Sequence, residues 1–400
     1  MIKSITLNNF FSFHNLTINL EQLNVLVGIN GVGKTNFMKA IRLLKSVVTE
    51  GALSDLVLNQ WGGFDAVCFC GSGCSKTSRV EIEYRFDERV LQNYGYHFLE
   101  PVYYKISLKK VSSSQNFSVF ESLYTKSDDG EVAYKYLQLN EGKGFVKEGE
   151  RTDNQHSVQY QLDSVSESIF SHLVDKDRYL QCYTIREAIK DIAVYSNFDI
   201  SAQSTIRKPM LPSGVLPRLT EDGSNLPQIL NIIKINTKSG YQGFLTALKS
   251  VNPNYNGIDF NFVGTNFELM LDEDKLEHSI HVTHISDGTL RYMCLLAIAF
   301  NTQRGGLICI DEPEIGLHPD MISEFMSGII KASEQSQFIM STHSEHILNE
   351  VSVSNVLVCE KDEENATSVA EFKDEEFVAW ASNFSAGRLW RNGDLGGNRY

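Results

Sequence analysis

Short apolar stretches separated by polar turns open the chain. Residues 2–7 and 16–20 read as strands, and the apolar run 23–27 leads straight into a glycine-rich turn. From Asn36 the spacing changes. Phe37, Ile41, Leu44 and Val48 recur at intervals of 4, 3 and 4, which predicts an amphipathic helix with Gly51 as its stop. Between residues 65 and 147 the pattern is β-like in AVCFC, VEIEYRF, VYYKISLKKV, FSVFESLY and EVAYKYLQL, separated by Gly, Ser and Asp clusters, so an antiparallel β lobe is expected. Residues 155–195, with IFSHLV and IREAIKDIAV, are expected to be helical, until Pro209, Pro212 and Pro217 exclude a continuous helix. Residues 226–235 predict a further helix and 258–282 further strand.

The last third alternates more regularly. Helix is expected at 290–301, strand at 306–310, helix at 319–332, strand at 337–340 and helix at 344–351, the rhythm of a parallel sheet with crossover helices. NVLVCE and TSVAEF predict a strand pair, followed by a short acidic helix at 374–381. The fold class is therefore α/β: a mixed sheet with crossover helices, an antiparallel β lobe and a helical insertion. No repeat and no heptad run occurs, which argues against a long coiled coil.

Composition narrows the class. Of 400 residues, 42% are hydrophobic and 22% charged, the balance of a folded chain and not a disordered one. The longest apolar stretch, 292–300, is far short of the ~20 residues a bilayer requires, so no membrane association is expected. The opening MIKSITLNNF lacks the layout of a secretory signal, and seven cysteines, an odd number, read as reduced thiols; a cytoplasmic location follows as the expectation. The net charge is −14, and residues 301–400 carry −10 of it, with 7 Lys+Arg against 17 Asp+Glu. Such a surface repels phosphate backbones on average, so DNA contact would need a local basic patch; Lys105, Lys109 and Lys110, and Arg207 with Lys208, are the candidates.

Residues 28–35 read GINGVGKT, the G-x-x-x-x-G-K-[ST] phosphate loop, placed between an apolar strand and a helix. Glycine backbones can turn successive N–H groups inward, and the helix start adds its positive end, so Asn30, Gly31, Val32, Gly33, Lys34, Thr35 and Asn36 are expected to hold ATP. Lys34 would lie along the β- and γ-phosphates, and Thr35 would ligate Mg²⁺. Residues 307–312, LICIDE, place two acids at the end of an apolar strand: Asp311 for Mg²⁺, Glu312 to polarise the attacking water.

The segment ISDGTLRYM, residues 285–293, looks like an ABC signature, followed in order by LICIDE, GLHPD and STHS. This succession resembles the compact RecF/SMC-like ABC-type ATPases, bacterial AAA-family proteins found in DNA repair and anti-phage defence. LTEDGSNLPQIL and the ending GRLWRNGDLGGNRY add to the resemblance, which covers roughly 1–64 and 200–400. It implies an N-terminal ATPase lobe with the phosphate loop and β subdomain at 1–155, a mainly helical insertion at 156–250, and a C-terminal lobe at 251–400. It further implies a homodimer, or a higher oligomer, with ATP at the interface, where Ser286, Asp287 and Gly288 meet the γ-phosphate held by the other protomer. Asp287 stands where glycine is more usual. His343 matches the switch histidine that positions water, with His318 and His346 weaker matches, and Gln60 and Gln203 are both open for the Q-loop. No nuclease domain follows, so a separate effector chain such as a nuclease is expected, with DNA as a candidate ligand. The alternatives are a DNA-binding repair ATPase without an effector and an ATP-binding scaffold without turnover.

Three other clusters read as structural. Cys68, Cys70 and Cys74, with Cys182, have poor zinc spacing, and Cys68 and Cys70 are expected on a strand. His278, His281 and His284 invite a metal, but His281 and His284 would point to opposite faces of a strand, which argues against a shared ion. The acidic run 360–364 is expected to be a solvated turn.

Overall fold

Five apolar runs line up as parallel strands in the computed structural model, in the spatial order Ile192–Tyr195, Leu307–Asp311, Gln337–Thr342, Leu23–Val27 and Val356–Lys361. Thr367–Glu371 completes this six-stranded sheet as an antiparallel edge. The structure describes residues 1–71, 78–112, 114–149, 151, 155–212, 217–381 and 384–397. Side chains alternate strictly across the parallel strands, as a period of two requires. Leu26, Cys309, Ile339 and Leu357 face one core; Val25, Val27, Ile308, Ile310, Phe338, Met340, Val356 and Val358 face another. A sheet with both faces covered has no polar side, which explains why these segments look continuously hydrophobic.

The first core lies against an antiparallel sheet of eight strands, from Phe13–Asn19 and Ile2–Phe10 through Arg79–Phe86, Val102–Lys110, Phe117–Lys126, Val132–Asn140 and Lys143–Lys147 to Ser157–Gln161. Helices Lys34–Ser46 and Leu180–Lys190 share that core. The second core is closed by helices Leu226–Asn236, Lys238–Val251, Asp287–Phe300 and Pro319–Ala332, and by a three-stranded sheet of Tyr255–Val263, Asn266–Glu273 and Ile280–His281. Gln337 ties the layers: its amide donates to the carbonyls of Ile2 (2.7 Å) and Glu21 (2.9 Å) and accepts from the Ile2 N–H (2.8 Å). The longest described helices have 14 residues, and among the described residues none is long and apolar enough to cross a membrane.

Several local expectations change. AVCFC is not a strand: Phe64–Val67 is a helical turn, and Cys68 makes only an isolated bridge to Phe10. IFSHLV contributes one 3-10 turn, Ile169–Ser171, and the end of IREAIKDIAV is the edge strand Ile192–Tyr195. The eight-stranded sheet continues past residue 155 to Gln161, so residues 156–250 feed both sheets as well as three helices. The first helix ends at Ser46, and Gly51 begins the next one instead, with φ +72°. Lys238–Val251 is a helix despite Gly240 and Gly243, poor helix formers. A Cβ at Gly243 would reach 2.5 Å from the Phe300 ring, so glycine is what lets this helix lie against Asp287–Phe300. Ala386–Asn392 is also helical.

Candidate nucleotide site

The loop joining Leu23–Val27 to Lys34–Ser46 takes the left-handed angles that the phosphate-loop pattern requires, with φ +84° at Gly31 and +115° at Gly33. A Cβ at Gly33 would overlap the hydroxyls of Ser12 and Thr367, whereas one at Gly31 would meet nothing within 4 Å. One glycine is needed for packing, the other for shape. The loop is braced from outside: Thr367 donates to the Val32 carbonyl (2.5 Å) and lies 2.8 Å from Ser12 Oγ, which also accepts from the Asn36 amide (3.0 Å). Lys34, buried, donates to its own loop carbonyls at Gly28 (2.8 Å) and Ile29 (3.2 Å), and burial lowers its pKa from the ordinary lysine value. Asn30, Gly31 and Thr35 are exposed at the loop crown. Beside them is a cavity of about 460 Å³ lined by Phe11, Ser12, Gly31, Asn36, Cys70 and Lys361, ample for the body of a nucleotide.

Asp311 and Glu312 stand at the carboxyl end of Leu307–Asp311, beside the end of Gln337–Thr342. Ser341 donates its hydroxyl to Asp311. The Glu312 N–H donates to the Ser341 carbonyl (3.1 Å) and hydroxyl (3.2 Å), and Glu312 sits at φ +48°, a conformation that costs a non-glycine residue of order 1–3 kcal/mol. Its carboxylate is 3.3 Å from Nε2 of His343. Glu314, which the sequence gave no reason to select, accepts from the Thr342 hydroxyl (2.7 Å) and the His343 N–H (2.8 Å). Burial, then the charge of Lys34, holds the His343 imidazole below its ordinary range. Against its burial, Cys359 and then the carboxylates of Glu312, Asp311 and Glu314 favour the charged form of Lys34, so the acid cluster lies within electrostatic reach of the phosphate loop.

The donors fit Mg²⁺. Among the described residues there is no cage of three or more His, Cys, Asp or Glu, but Mg²⁺ characteristically takes one or two protein oxygens together with substrate phosphates and water. Asp311 and the exposed Thr35 hydroxyl supply hard oxygen, and one buried oxygen of Glu314 has no hydrogen-bond partner. Asp311 and Thr35 are the residues that would hold the ion.

The signature segment begins its helix as an N-capped turn. Ser286 Oγ accepts from the Thr289 N–H (3.1 Å), leaving the N–H groups of Asp287 and Gly288 at the helix start. The acid at 287 is compensated: Arg207, buried, donates to its carboxylate (2.5 Å) and to the carbonyls of Val282 (2.8 Å) and Ile285 (3.0 Å). Arg207 is therefore a brace for this turn and not part of a DNA patch. Lys105 and Lys110 are paired with Glu81 and Asp65, and Lys109 lies 3.7 Å from Glu141, so the proposed basic cluster on that strand is neutralised; Lys208 is exposed.

The weaker candidates settle elsewhere. Gln60 donates to Asp55 (2.8 Å) and lines a separate cavity with Arg42, Lys45 and Glu221, while Gln203 is exposed. His318 caps the helix Pro319–Ala332, His346 is exposed, and His281 bonds Glu268 (2.9 Å). Cys74 lies outside the described residues; Cys182 is buried, its thiol pushed up by desolvation. Ser12, Thr367 and Glu314 brace the candidate site without a sequence signal, and Arg207 stood out only as part of a basic cluster, because each acts through a partner distant along the chain.

A family model described as "AAA domain, putative AbiEii toxin, Type IV TA system" (AAA_21) matches residues 23–349. Endonuclease GajA of Bacillus cereus (strain VD045) is 25% identical over 376 residues, covering 87% of this chain and 56% of that protein; the chain thus spans about half the length of the curated relative it matches. An SMC head bound to the C-winged helix domain of ScpA superposes with a TM-score of 0.58 at 14% identity, over 94% of this chain and 99% of that one. An SMC head domain with an extended coiled coil, bound to the C-terminal domain of ScpA derived from Pyrococcus furiosus, gives 0.59 at 13% identity, over 96% and 98%. Both solved structures establish the fold, and the phosphate loop falls within the family match. The chain belongs to the AAA_21 family, carries its phosphate loop inside the family match, and has the fold of an SMC head.

Proposed function

We propose that two copies of this chain close around ATP, hydrolyse it, and use the resulting motion to control a separate effector such as a nuclease, or DNA, in anti-phage defence. The observation that carries the reading is the placement of the phosphate loop, Asp311, Glu312 and His343 at the carboxyl ends of adjacent parallel strands, with Glu312 3.3 Å from His343. In an open α/β sheet this is where ligands are bound. A defence role is supported by the endonuclease relative and by the toxin named in the family description.

The loop N–H groups and Lys34 would bind the β- and γ-phosphates, and Ser286 with the N–H groups of Asp287 and Gly288 would cap the γ-phosphate from the other protomer. Asp311 and Thr35 would hold Mg²⁺, which would supply neutralising charge to the phosphates. Glu312 takes a proton from the attacking water as its oxygen bonds to the γ-phosphorus and the bond to the ADP oxygen breaks. Neutral His343, 3.3 Å from Glu312, orients that water.

Phosphate release from wild type and Glu312→Gln tests the chemistry. The variant should be slower by ~100-fold or more, the usual effect of losing a general base. It should also accumulate ATP-dependent dimers in sedimentation. Equal rates would leave an ATP-binding scaffold, and a variant that stays monomeric with ATP would remove the dimer.

A further inference from the structure

Arg291 is an isolated charge on the most thoroughly buried helix of the molecule. Asp287–Phe300 buries Thr289 through Ala299 without interruption, and Arg291 is 7% exposed among them. A guanidinium in that setting needs partners, because a buried charge is costly unless hydrogen-bonded. Among the described residues, the one side-chain bond it makes runs from Nη2 to the backbone carbonyl of Glu312 (3.3 Å) and its buried Nε has no partner, while the guanidinium lies 5.7 Å from the centre of the Phe198 ring. The carbonyl it chooses belongs to the residue held at φ +48°. Gly316, in the GLHPD turn, packs on the same side chain: a Cβ there would lie 3.9 Å from Arg291 Cδ. One turn earlier on the helix, a Cβ at Gly288 would lie 3.3 Å from the Gly316 carbonyl oxygen. The start of this helix and the turn after Glu312 are thus in direct contact.

We infer that Arg291 is a positioning residue which transmits the position of the signature helix to Glu312 of the same protomer, so that engagement of the partner's nucleotide sets the local catalytic carboxylate. This rests on the ATPase reading above. Ser341 fixes the peptide that enters the strained Glu312, through its N–H, and Arg291 fixes the peptide that leaves it, through its carbonyl. A shift of Asp287–Phe300 moves the second anchor and not the first, which changes the backbone angles at the Glu312 Cα between them and with them the direction of the Glu312 side chain. Lysine, a point donor on a flexible stem, can reach a carbonyl but cannot hold its direction as the planar fork does.

The test uses the full chain with Arg291→Met and Arg291→Lys. ATP affinity should remain within ~3-fold of wild type, because Arg291 does not line the phosphate loop, while the maximal rate of phosphate release falls at least ~10-fold in the Met variant and less in the Lys variant. Without nucleotide, amide hydrogen exchange should rise in 312–318 and stay unchanged in the strands of the central sheet. Should the Met variant fail to fold, the Lys variant carries both readouts. A wild-type maximal rate with wild-type exchange at 312–318 overturns the inference, as does a loss confined to ATP affinity, or exchange that rises throughout the helix and its neighbours. Absence of phosphate release from wild type would instead overturn the ATPase reading, and the exchange readout would still decide whether Arg291 anchors Glu312.

Discussion

One carboxylate oxygen of Glu314 holds the backbone of His343, the residue proposed to orient water, since it receives both the Thr342 hydroxyl and the His343 N–H. Glu314→Ala leaves two donors without an acceptor and frees the His343 backbone. Phosphate release should fall by ~10- to 100-fold, the range for losing a supporting partner of a site residue, with ATP affinity much less affected. Glu314→Gln keeps an acceptor oxygen and should retain most of the rate; equal losses in the two variants would contradict this role. His343 gives a second expectation at this scale. Its pKa is depressed, first by burial and then by Lys34, so the ring is neutral in the folded protein where a free imidazole would begin to charge. The stability linked to it is present above the ordinary value of 6.5 and is lost as pH falls through the lower folded value. An NMR titration of the His343 ring should give a midpoint below 6.5; a midpoint above it would mean that Glu312 outweighs burial. Lys34, Asp311 and Glu312 could be proposed from the sequence because phosphate chemistry asks for particular residue types at contiguous positions, whereas His343 rested on the family resemblance. Ser12 and Thr367, 355 residues apart, touch only in the fold.

Among elements, the stitch at Gln337 is the clearest case of a buried polar group with a structural reason. Its three bonds join the central sheet to the first strand of the eight-stranded sheet and to the chain at Glu21. Gln337→Leu preserves volume but strands the Ile2 N–H and two carbonyls, and should cost about 2–4 kcal/mol. Urea unfolding measures it; a cost near zero would show that water or rearrangement replaces the amide. The parallel strands other than Ile192–Tyr195, which reads as the end of a helix, were readable as continuous apolar runs, and Pro319–Ala332 from its periodicity, because burial on two faces or one imposes these patterns directly. The helix Lys238–Val251 was obscured by Gly240 and Gly243, whose value lies in the approach of Phe300, a tertiary fact. Phe64–Val67 was misread for the opposite reason: a short apolar run has β propensity whether or not a ladder is available to it.

For the molecule as a whole, charge bears on partners. With a net charge of −14 and the lysines of Val102–Lys110 set against Glu81, Asp65 and Glu141, that face of the β lobe offers little to a phosphate backbone. Replacing Lys105, Lys109 and Lys110 together by alanine should change any DNA affinity by less than ~3-fold and leave its salt slope intact, as fluorescence anisotropy across a salt series can measure. A slope that drops by about three would identify this strand as the contact after all. Sequence reasoning reached the charge but not its pairing, since cross-strand partners are set by register.

The order of strands in the central sheet also governs how the protein comes into being. Leu23–Val27 is made early on the ribosome, yet both its sheet neighbours, Gln337–Thr342 and Val356–Lys361, are made late. Thr367, which secures the loop at Val32, follows later still. Throughout most of synthesis the most hydrophobic strand near the start of the chain therefore waits without its neighbours, exposed to wrong pairings during the interval. The phosphate loop cannot be completed until residue 367 has emerged, 335 residues after Val32 of the loop itself, so a nascent or interrupted chain carries the nucleotide motif without a finished place to put the nucleotide.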